Sequence, residues 1–474
     1  MVRTAPAAVL LSLLILPLIA PAPAAADVST GVEVRFRGEA WDAPAGNPTL
    51  EQGFAFGLAR ARARLDGRWD EWTLTAVLQG AAAFDLPERG SFGIAPVYVA
   101  ANEGETDPAG AGVAELAVGY RRDGFGITVG RQGFTDGFEV ATGVPYLDGV
   151  KRARIAERLV GNWDWVNVGR RFDGAAADLE TGRLHWAGFA FRPLSGGVDH
   201  EDGLTPLDDL EVYGLSVTVT DLGGSGLPGF PYPYQEVRLG LIQYDDARRG
   251  ALVAALGEIE VTTLVAHWLA GGPDRDLILW LALQDGDWGP ADHGAWAAFA
   301  EAGRAFPSRP RAPAVRAGVA HASGDTSPGG GHHTFFNLLP TNHKWYGGMD
   351  FSAFSNLETA FVQGSLALPA SWRATAELHT FRLAERADAW WGGSGAFEER
   401  TFGYAARGPA AGPGPGFRSS HLGEELDLTF ARPLPAGFGL TLGASYFLGG
   451  SAAEEVLPHE EDGAWGFVQL TWTR

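Results

Sequence analysis

The chain of 474 residues contains no cysteine, so no disulfide contributes to its stability. Beyond its first residues it also lacks any run of the ~20 apolar residues that a membrane-spanning helix needs. A helical membrane protein is thereby excluded, whereas a barrel, whose strands need only ~9 to 11 residues, is not. A basic excess is missing as well: 57 acidic residues stand against 36 basic ones, for a net charge of -21, which removes nucleic acid as a partner. Domain breaks are the last absence. Length alone suggests roughly three domains of about 150 residues. Yet a texture with 66 glycines and 16 tryptophans runs unbroken from end to end, which points to one large barrel over residues 27–474.

The first residues read differently. Arg3, an apolar run from Ala5 to Ala20, and Ala24-Ala25-Ala26 before Asp27 form a basic start, a short apolar core and a small-residue cleavage site. That is the layout of a secretory signal peptide over residues 1–26.

From Gly31 onward the chain alternates. Val32, Val34 and Phe36 interleave with Glu33, Arg35 and Arg37, and period two places the two sets on opposite faces of a strand. In Phe54 to Leu65, Arg60, Arg62 and Arg64 share one face and Ala59, Ala61, Ala63 and Leu65 the other. An Arg at the bilayer midplane costs about 2 to 4 kcal/mol, so these three line a wet interior. Later segments repeat the pattern. Trp372, Ala374, Ala376 and Leu378 oppose Arg373, Thr375, Glu377 and His379, and Leu426, Leu428 and Phe430 oppose Glu425, Asp427 and Thr429. About eighteen such segments can be counted, an even number as bacterial barrels require. Connections alternate in length. Short ones such as Arg122-Asp123, Thr181-Gly182 and Pro369 to Ser371 alternate with long ones such as Gln132 to Phe172, Gly324 to Asn356 and Ala384 to Ser420. The expected fold is all-β: a transmembrane antiparallel barrel with short periplasmic turns and long extracellular loops.

Val315 to Asp350 stands out among the loops. It is too long and too apolar for a hairpin turn, and it is expected to fold inward over the pore. Phe335, Phe336, Leu338 and Leu339 would pack as an apolar plug, Asn342, His343 and Lys344 would meet the permeant, and Trp345 completes this gate.

Several segments resemble the bacterial alginate export family of outer-membrane barrels. They are Arg35 to Glu39 (RFRGE), Val129 to Gln132 (VGRQ), Glu157 to Gly174 (ERLVGNW and GRRFDG), His321 to Asp325 (HASGD), Phe336 to Gly347 (FNLLPTNHKWYG) and Glu377 to Leu383 (ELHTFRL). The resemblance implies an exopolysaccharide-secreting porin with a basic lumen that guides an anionic polyuronate outward. The matching positions are Arg35, Arg37, Arg60, Arg62, Arg64, Arg131, Arg170, Arg171 and Lys344. Guanidinium forks suit carboxylates, and a ring of them concentrates anions while each contact stays exchangeable. The opposing reading is structural pairing with Glu33, Glu39, Glu115, Asp173, Glu377, Glu425 or Asp427.

Implied partners are an anionic polysaccharide or small anions, outer-membrane lipid and lipopolysaccharide, the barrel-assembly machinery and periplasmic secretion partners in a Gram-negative bacterium. No cofactor or metal is called for. The alternatives are a general diffusion porin and an outer-membrane enzyme. The enzyme would need a nucleophile, and His321, Ser323 and Asp325 lie close in sequence; Ser-Gly-Asp reads instead as the turn that closes a strand. His332, His333 and His343 have no compact metal-ligand spacing.

Overall fold

The computed structural model describes residues 27–90, 92–222, 232–250, 256–326, 330–399, 401–408 and 416–474. The expected signal peptide lies outside the described residues. Strands form where the alternation predicts them, usually a few residues longer. They are β1 (Asp27–Asp42), β2 (Gly53–Trp69), β3 (Trp72–Phe84), β4 (Ala109–Arg122), β5 (Phe125–Gln132), β6 (Phe172–Thr181), β7 (Leu184–Pro193), β8 (Leu210–Val219) and β9 (Tyr234–Asp246). Next come β10 (Ile259–Gly271), β11 (Arg275–Trp288), β12 (Ala291–Ala305), β13 (Ala314–Ala322), β14 (Leu357–Leu368) and β15 (Trp372–Leu383). A short hairpin follows, β16 (Trp390–Gly393) with β17 (Tyr404–Arg407), and then β18 (His421–Pro433), β19 (Phe438–Gly449) and β20 (Gly463–Thr473).

Apart from that hairpin, all strands belong to one 18-stranded sheet, each antiparallel to its sequence neighbour, with β15 pairing β18. Closure comes from β1 against β20, in register from Glu33 opposite Thr473 to Asp42 opposite Ala464. Arg474 and Val32 exchange backbone hydrogen bonds of 2.9 and 3.0 Å at the end of this seam. A closed sheet has no unpaired edge, which is what a strand-built span in lipid demands.

The faces separate as the alternation requires. Leu239, Leu241, Leu264, Leu279, Leu281 and Leu283 are exposed on the outside. Arg238, His267, Glu301, Arg316 and His379 are buried on the inside. One rim carries tight turns in which Asp70 and Asp123 adopt positive φ, a conformation Asp tolerates well. The other rim carries the long connections, and these turn inward. The helices α1 (Ala95–Ala101), α2 (Pro145–Arg154) and α3 (Ser451–Val456) belong to them, and no described helix is long and apolar enough to cross a membrane. The main apolar core therefore lies inside the barrel toward the long-loop rim, where Phe335, Phe336, Leu338, Leu339, Trp345 and Phe354 join Leu159, Val160 and Trp390.

Candidate functional site

Residues 133–171, between β5 and β6, contribute a large inward segment. Pro145 opens α2 at a first-turn position where its missing N–H is not needed. Lys151, Arg152 and Arg154 fill the last turn, where cations complement the helix dipole. Lys151, Arg154 and Arg158 follow one another at near-helical spacing and meet the barrel wall. Lys151 Nζ lies 2.7 Å from Glu236 on β9. Arg154 and Arg158 share Glu301 on β12, at 2.7 and 2.8 Å. The Arg158 guanidinium also stacks 3.5 Å from the Phe299 ring centroid and donates to the Tyr346 hydroxyl. Breaking a buried pair of this kind costs about 3–5 kcal/mol, because the surviving charge loses its partner. These pairs fix the inward segment.

Beyond α2 the chain crosses to the opposite wall and meets the arginines of β1 and β2 through Asp164. Its Oδ1 lies 2.6 Å from Arg62 Nη2, 3.7 Å from Arg60 Nη1 and 3.3 Å from Arg171 Nη1. Burial opposes its charge, yet the Arg171, Arg62 and Arg60 guanidiniums hold the carboxyl far below the usual carboxylate range. Gly169, at φ +79°, leaves room for this contact; a Cβ there would sit 2.6 Å from Asp164 Oδ1.

The remaining predicted arginines are engaged as well. Arg60 pairs with Glu33 at 2.9 Å, Arg64 with Asp66 and Glu115 at 2.6 and 3.2 Å, and Arg171 with Glu115 at 3.0 Å. Arg131 grips Asp173 through two bonds of 2.8 Å. Arg37 pairs with Glu39 at 3.0 Å. Arg35 has no carboxylate among the described residues and donates to the carbonyls of Asp164 (2.9 Å) and Val166 (2.8 Å). Arg170 is fully buried and donates to the carbonyls of Leu339 (2.9 Å) and Ser394 (2.7 Å), so it joins three inward loops. Burial lowers its pKa to about 10, and it remains protonated.

Residues 330–356 close over this framework. Phe335 is fully buried, and Phe336 packs edge-on against Tyr244 and Trp288 with centroids 4.9 and 5.2 Å apart. Asn342 is buried and donates to Ser352 O at 2.8 Å, and Trp345 is buried with its indole N–H on Ala153 O. Both brace the loop rather than face an opening. His343 is partly exposed. It stacks on Trp165 with centroids 3.7 Å apart and planes 7° from parallel, and its Nδ1 lies 2.7 Å from Asp350. Arg37 sits 4.0 Å from the centroid of the same Trp165 ring. Lys344 pairs with Glu157. The Trp165 and His343 stack is where the two inward loops meet.

On the side of the short turns the interior is open. A vestibule of ≈ 1080 Å³ is lined by α2, by Glu157, Asp164 and Lys344, and by Arg316, Gln363 and Arg373 of the wall. Five basic residues line it, Arg152, Arg154, Arg316, Arg373 and Lys344, against the acidic Glu157 and Asp164, and of the five Arg154 and Arg316 are themselves buried. Part of the balancing charge lies behind them: Asp276, against Arg316, has a fully buried side chain, and Glu301 is 3 % exposed. Arg152 and Arg373 are exposed and have no ion pair among the described residues.

Sequence reasoning missed Asp164, Trp165, Arg152, Arg154 and Arg158 as interior residues, whereas the alternation of β15 had already put Arg373 on the polar face. The spacing of Lys151, Arg154 and Arg158 was the available signal, whereas Asp164 meets its arginines only through the tertiary fold. The histidines separate. His332 pairs with His293 at 2.8 Å, while His343 joins Asp350 elsewhere. Among the described residues no group of three or more His, Cys, Asp or Glu could hold a metal. Ser323 Oγ donates to His333 O, and His321 lies 3.2 Å from Glu358, so the two belong to separate contacts.

Solved structures share this architecture. OccK9 (OpdG) of Pseudomonas aeruginosa matches with a TM-score of 0.56 at 14% identity, over 94% of this chain and 98% of its own. OpdK of Pseudomonas aeruginosa gives 0.54 at 9% identity, over 94% and 98%. OccAB3 of Acinetobacter baumannii gives 0.53 at 9% identity, over 94% and 100%. At such identities the likeness concerns the fold. No match is found among curated proteins. The family profile for alginate export matches residues 26–467, nearly the whole chain. The closed 18-stranded barrel with its inward loops is thus an outer-membrane channel, and the chain belongs to the alginate export family.

Proposed function

We propose that this channel passes an acidic polysaccharide, an alginate-like polyuronate, or other anions, from the periplasmic vestibule past the Trp165 and His343 stack. The observation that carries the reading is the vestibule itself, which five basic residues line against two acidic ones, with Arg152 and Arg373 exposed. Arg152 and Arg373, exposed and without carboxylates, are the groups best placed to exchange contacts with a moving polyanion. Lys344 stands at the inner end of the path. Arg35, Arg37, Arg60, Arg62, Arg64, Arg131, Arg170 and Arg171 act in this reading as the frame that holds the inward loops, and they keep the lumen wall positive where carbonyls rather than carboxylates receive their bonds.

The test is block of single-channel current by oligouronate added on the vestibule side. The wild type is expected to show concentration-dependent block that weakens about tenfold in a double variant, Arg152→Gln with Arg373→Gln. Absence of block in the wild type, or equal block in the variant, defeats the reading. A second reading, a general diffusion porin, has its own observation: Arg60, Arg62 and Arg64 are saturated by Glu33, Asp164, Asp66 and Glu115. It expects no block and little preference between ions.

A further inference from the structure

A groove of ≈ 650 Å³ is cut into the outer wall of the barrel, across the long-loop ends of the strands from β12 to β15. Its floor follows from the register. Ala300 of β12, Val319 of β13, Ala360 of β14 and Thr380 of β15 lie opposite one another in one outward row. Ala298, His321, Glu358 and Arg382 form the next row toward the long loops. The methyl side chains of Ala298, Ala300 and Ala360 stop short of the exposed Leu279, Trp296 and Val319 beside them, so the wall is hollow there. From Trp296 to Ala300 the hollow runs about 13 Å along the strand. On a lipid-facing wall such a hollow forfeits dispersion contacts unless a chain fills it.

The upper end of the groove is polar. Charged side chains are disfavoured at the middle of a bilayer and tolerated near its interfaces, where barrels also gather aromatic rings. His321, Glu358, Arg382 and Trp296 therefore mark the headgroup level of the outer leaflet. The His321 ring stacks on Trp296 with centroids 4.4 Å apart. Glu358 stands in register between His321 and Arg382, yet its Oε1 turns to His321 Nδ1 at 3.2 Å. The neighbouring carboxylate of Glu424 is likewise taken by a histidine, His421, at 2.8 Å. Arg382 is exposed, donates to Ser420 Oγ at 3.0 Å and has no ion pair among the described residues. Arg386, also exposed, donates to Arg418 O at 2.9 Å and brings a second guanidinium to the segment 418–420. An anion at the head of the groove meets cations whose nearest carboxylates are already engaged.

We propose that this groove binds one molecule of a phosphorylated, acylated disaccharide of the outer leaflet, a lipid of the lipid A type. One acyl chain lies over Ala298, Ala300 and Ala360, a phosphate pairs with Arg382, and the sugar that carries the phosphate meets the Trp296 and His321 stack. A phospholipid supplies the chain and the phosphate but no sugar ring for that stack. A neutral glycolipid supplies the chain and the ring but leaves Arg382 bare. The site lies outside the lumen and stands whichever solute the channel passes.

The experiment is native mass spectrometry of the refolded full-length barrel, titrated in detergent with diphosphoryl lipid A, dephosphorylated lipid A and phosphatidylglycerol. Saturable one-to-one binding is expected for diphosphoryl lipid A, with the other two at least about tenfold weaker. Arg382→Gln should weaken diphosphoryl lipid A about tenfold and erase its advantage over the dephosphorylated form. Ala360→Phe fills the hollow and should weaken it by about tenfold as well. Val362→Phe, at the next outward position of β14 and outside the groove, should change nothing. Heat-modified migration on gels verifies that each variant is a closed barrel. No saturable lipid A binding, unchanged affinity in Arg382→Gln or in Ala360→Phe, or phosphatidylglycerol bound as tightly overturns the proposal. So does a dimer of barrels that Ala360→Phe abolishes, because the groove would then be filled by a second copy.

Discussion

Replacing Asp164 by Asn removes one negative charge from the middle of the lumen while keeping the side chain's shape. The charge is present in the native protein at any working pH. The depressed carboxyl pKa means that its contribution is complete above the unfolded value and is lost only as pH falls through the lower folded value. In the variant, Arg60, Arg62 and Arg171 keep their positions beside an amide that balances none of them. For an ion passing about 5 Å away through water, one unit charge is worth about 0.8 kcal/mol before screening. At about 0.1 M salt, with a Debye length of about 10 Å, this falls to about 0.5 kcal/mol. The loss lowers the energy of an anion and raises that of a cation by this amount, so the permeability ratio should rise about fivefold in favour of anions. At about 1 M salt the change should shrink to less than about twofold. Reversal potentials of single channels in a KCl gradient measure both. An unchanged ratio at low salt, or a change that ignores ionic strength, would refute the reasoning.

The other expectations concern the Trp165 and His343 stack, its supports and their pH dependence. Trp165→Ala removes the ring that stacks on His343 and Arg37, and single-channel conductance should rise; an equal conductance means the path runs elsewhere. Deleting Phe335 to Trp345 should raise it further, because Phe335, Phe336 and Trp345 fill the interior. Glu301→Gln leaves Arg154 and Arg158 without a carboxylate and should lower stability to urea by about 3–5 kcal/mol, with a loss below about 1 kcal/mol counting against the pairing. His200 accepts from the Asn167 amide at 2.9 Å, and burial pushes its pKa down to about 4. Its support for the inward loop is complete above the ordinary histidine value, worth on the order of 3 kcal/mol, and is lost as pH falls toward 4. Current noise should therefore increase over that interval, and His200→Gln should remove the step.

The barrel was legible because each strand states its own faces. Val32, Val34 and Phe36 against Glu33, Arg35 and Arg37 decide inside and outside locally, and the turns at Asp123 and Gly182 mark one rim without reference to anything distant. The inner architecture was less so. For Arg60, Arg62 and Arg64 the sequence left lumen lining and pairing with acids such as Glu33 and Glu115 both open, and Asp164, which meets Arg62 and Arg60, arrives from a connection about a hundred residues later. Arg170 and Arg171 look alike in sequence, yet one bonds carbonyls of two other loops and the other bonds carboxylates. The loop around Phe335 was visible from its aromatic content, whereas the segment 133–171, its equal in the interior, advertises itself only through the spacing of Lys151, Arg154 and Arg158.

In the proposed function, a layered charge distribution, with cations toward the lumen and carboxylates behind, makes the channel attract anions despite a net charge of -21 on the chain. The reversal potential of the wild-type channel across a KCl gradient at about 0.1 M mean salt tests it directly. An anion-attracting lumen gives a potential displaced toward chloride equilibrium; displacement toward potassium equilibrium would overturn this charge arrangement.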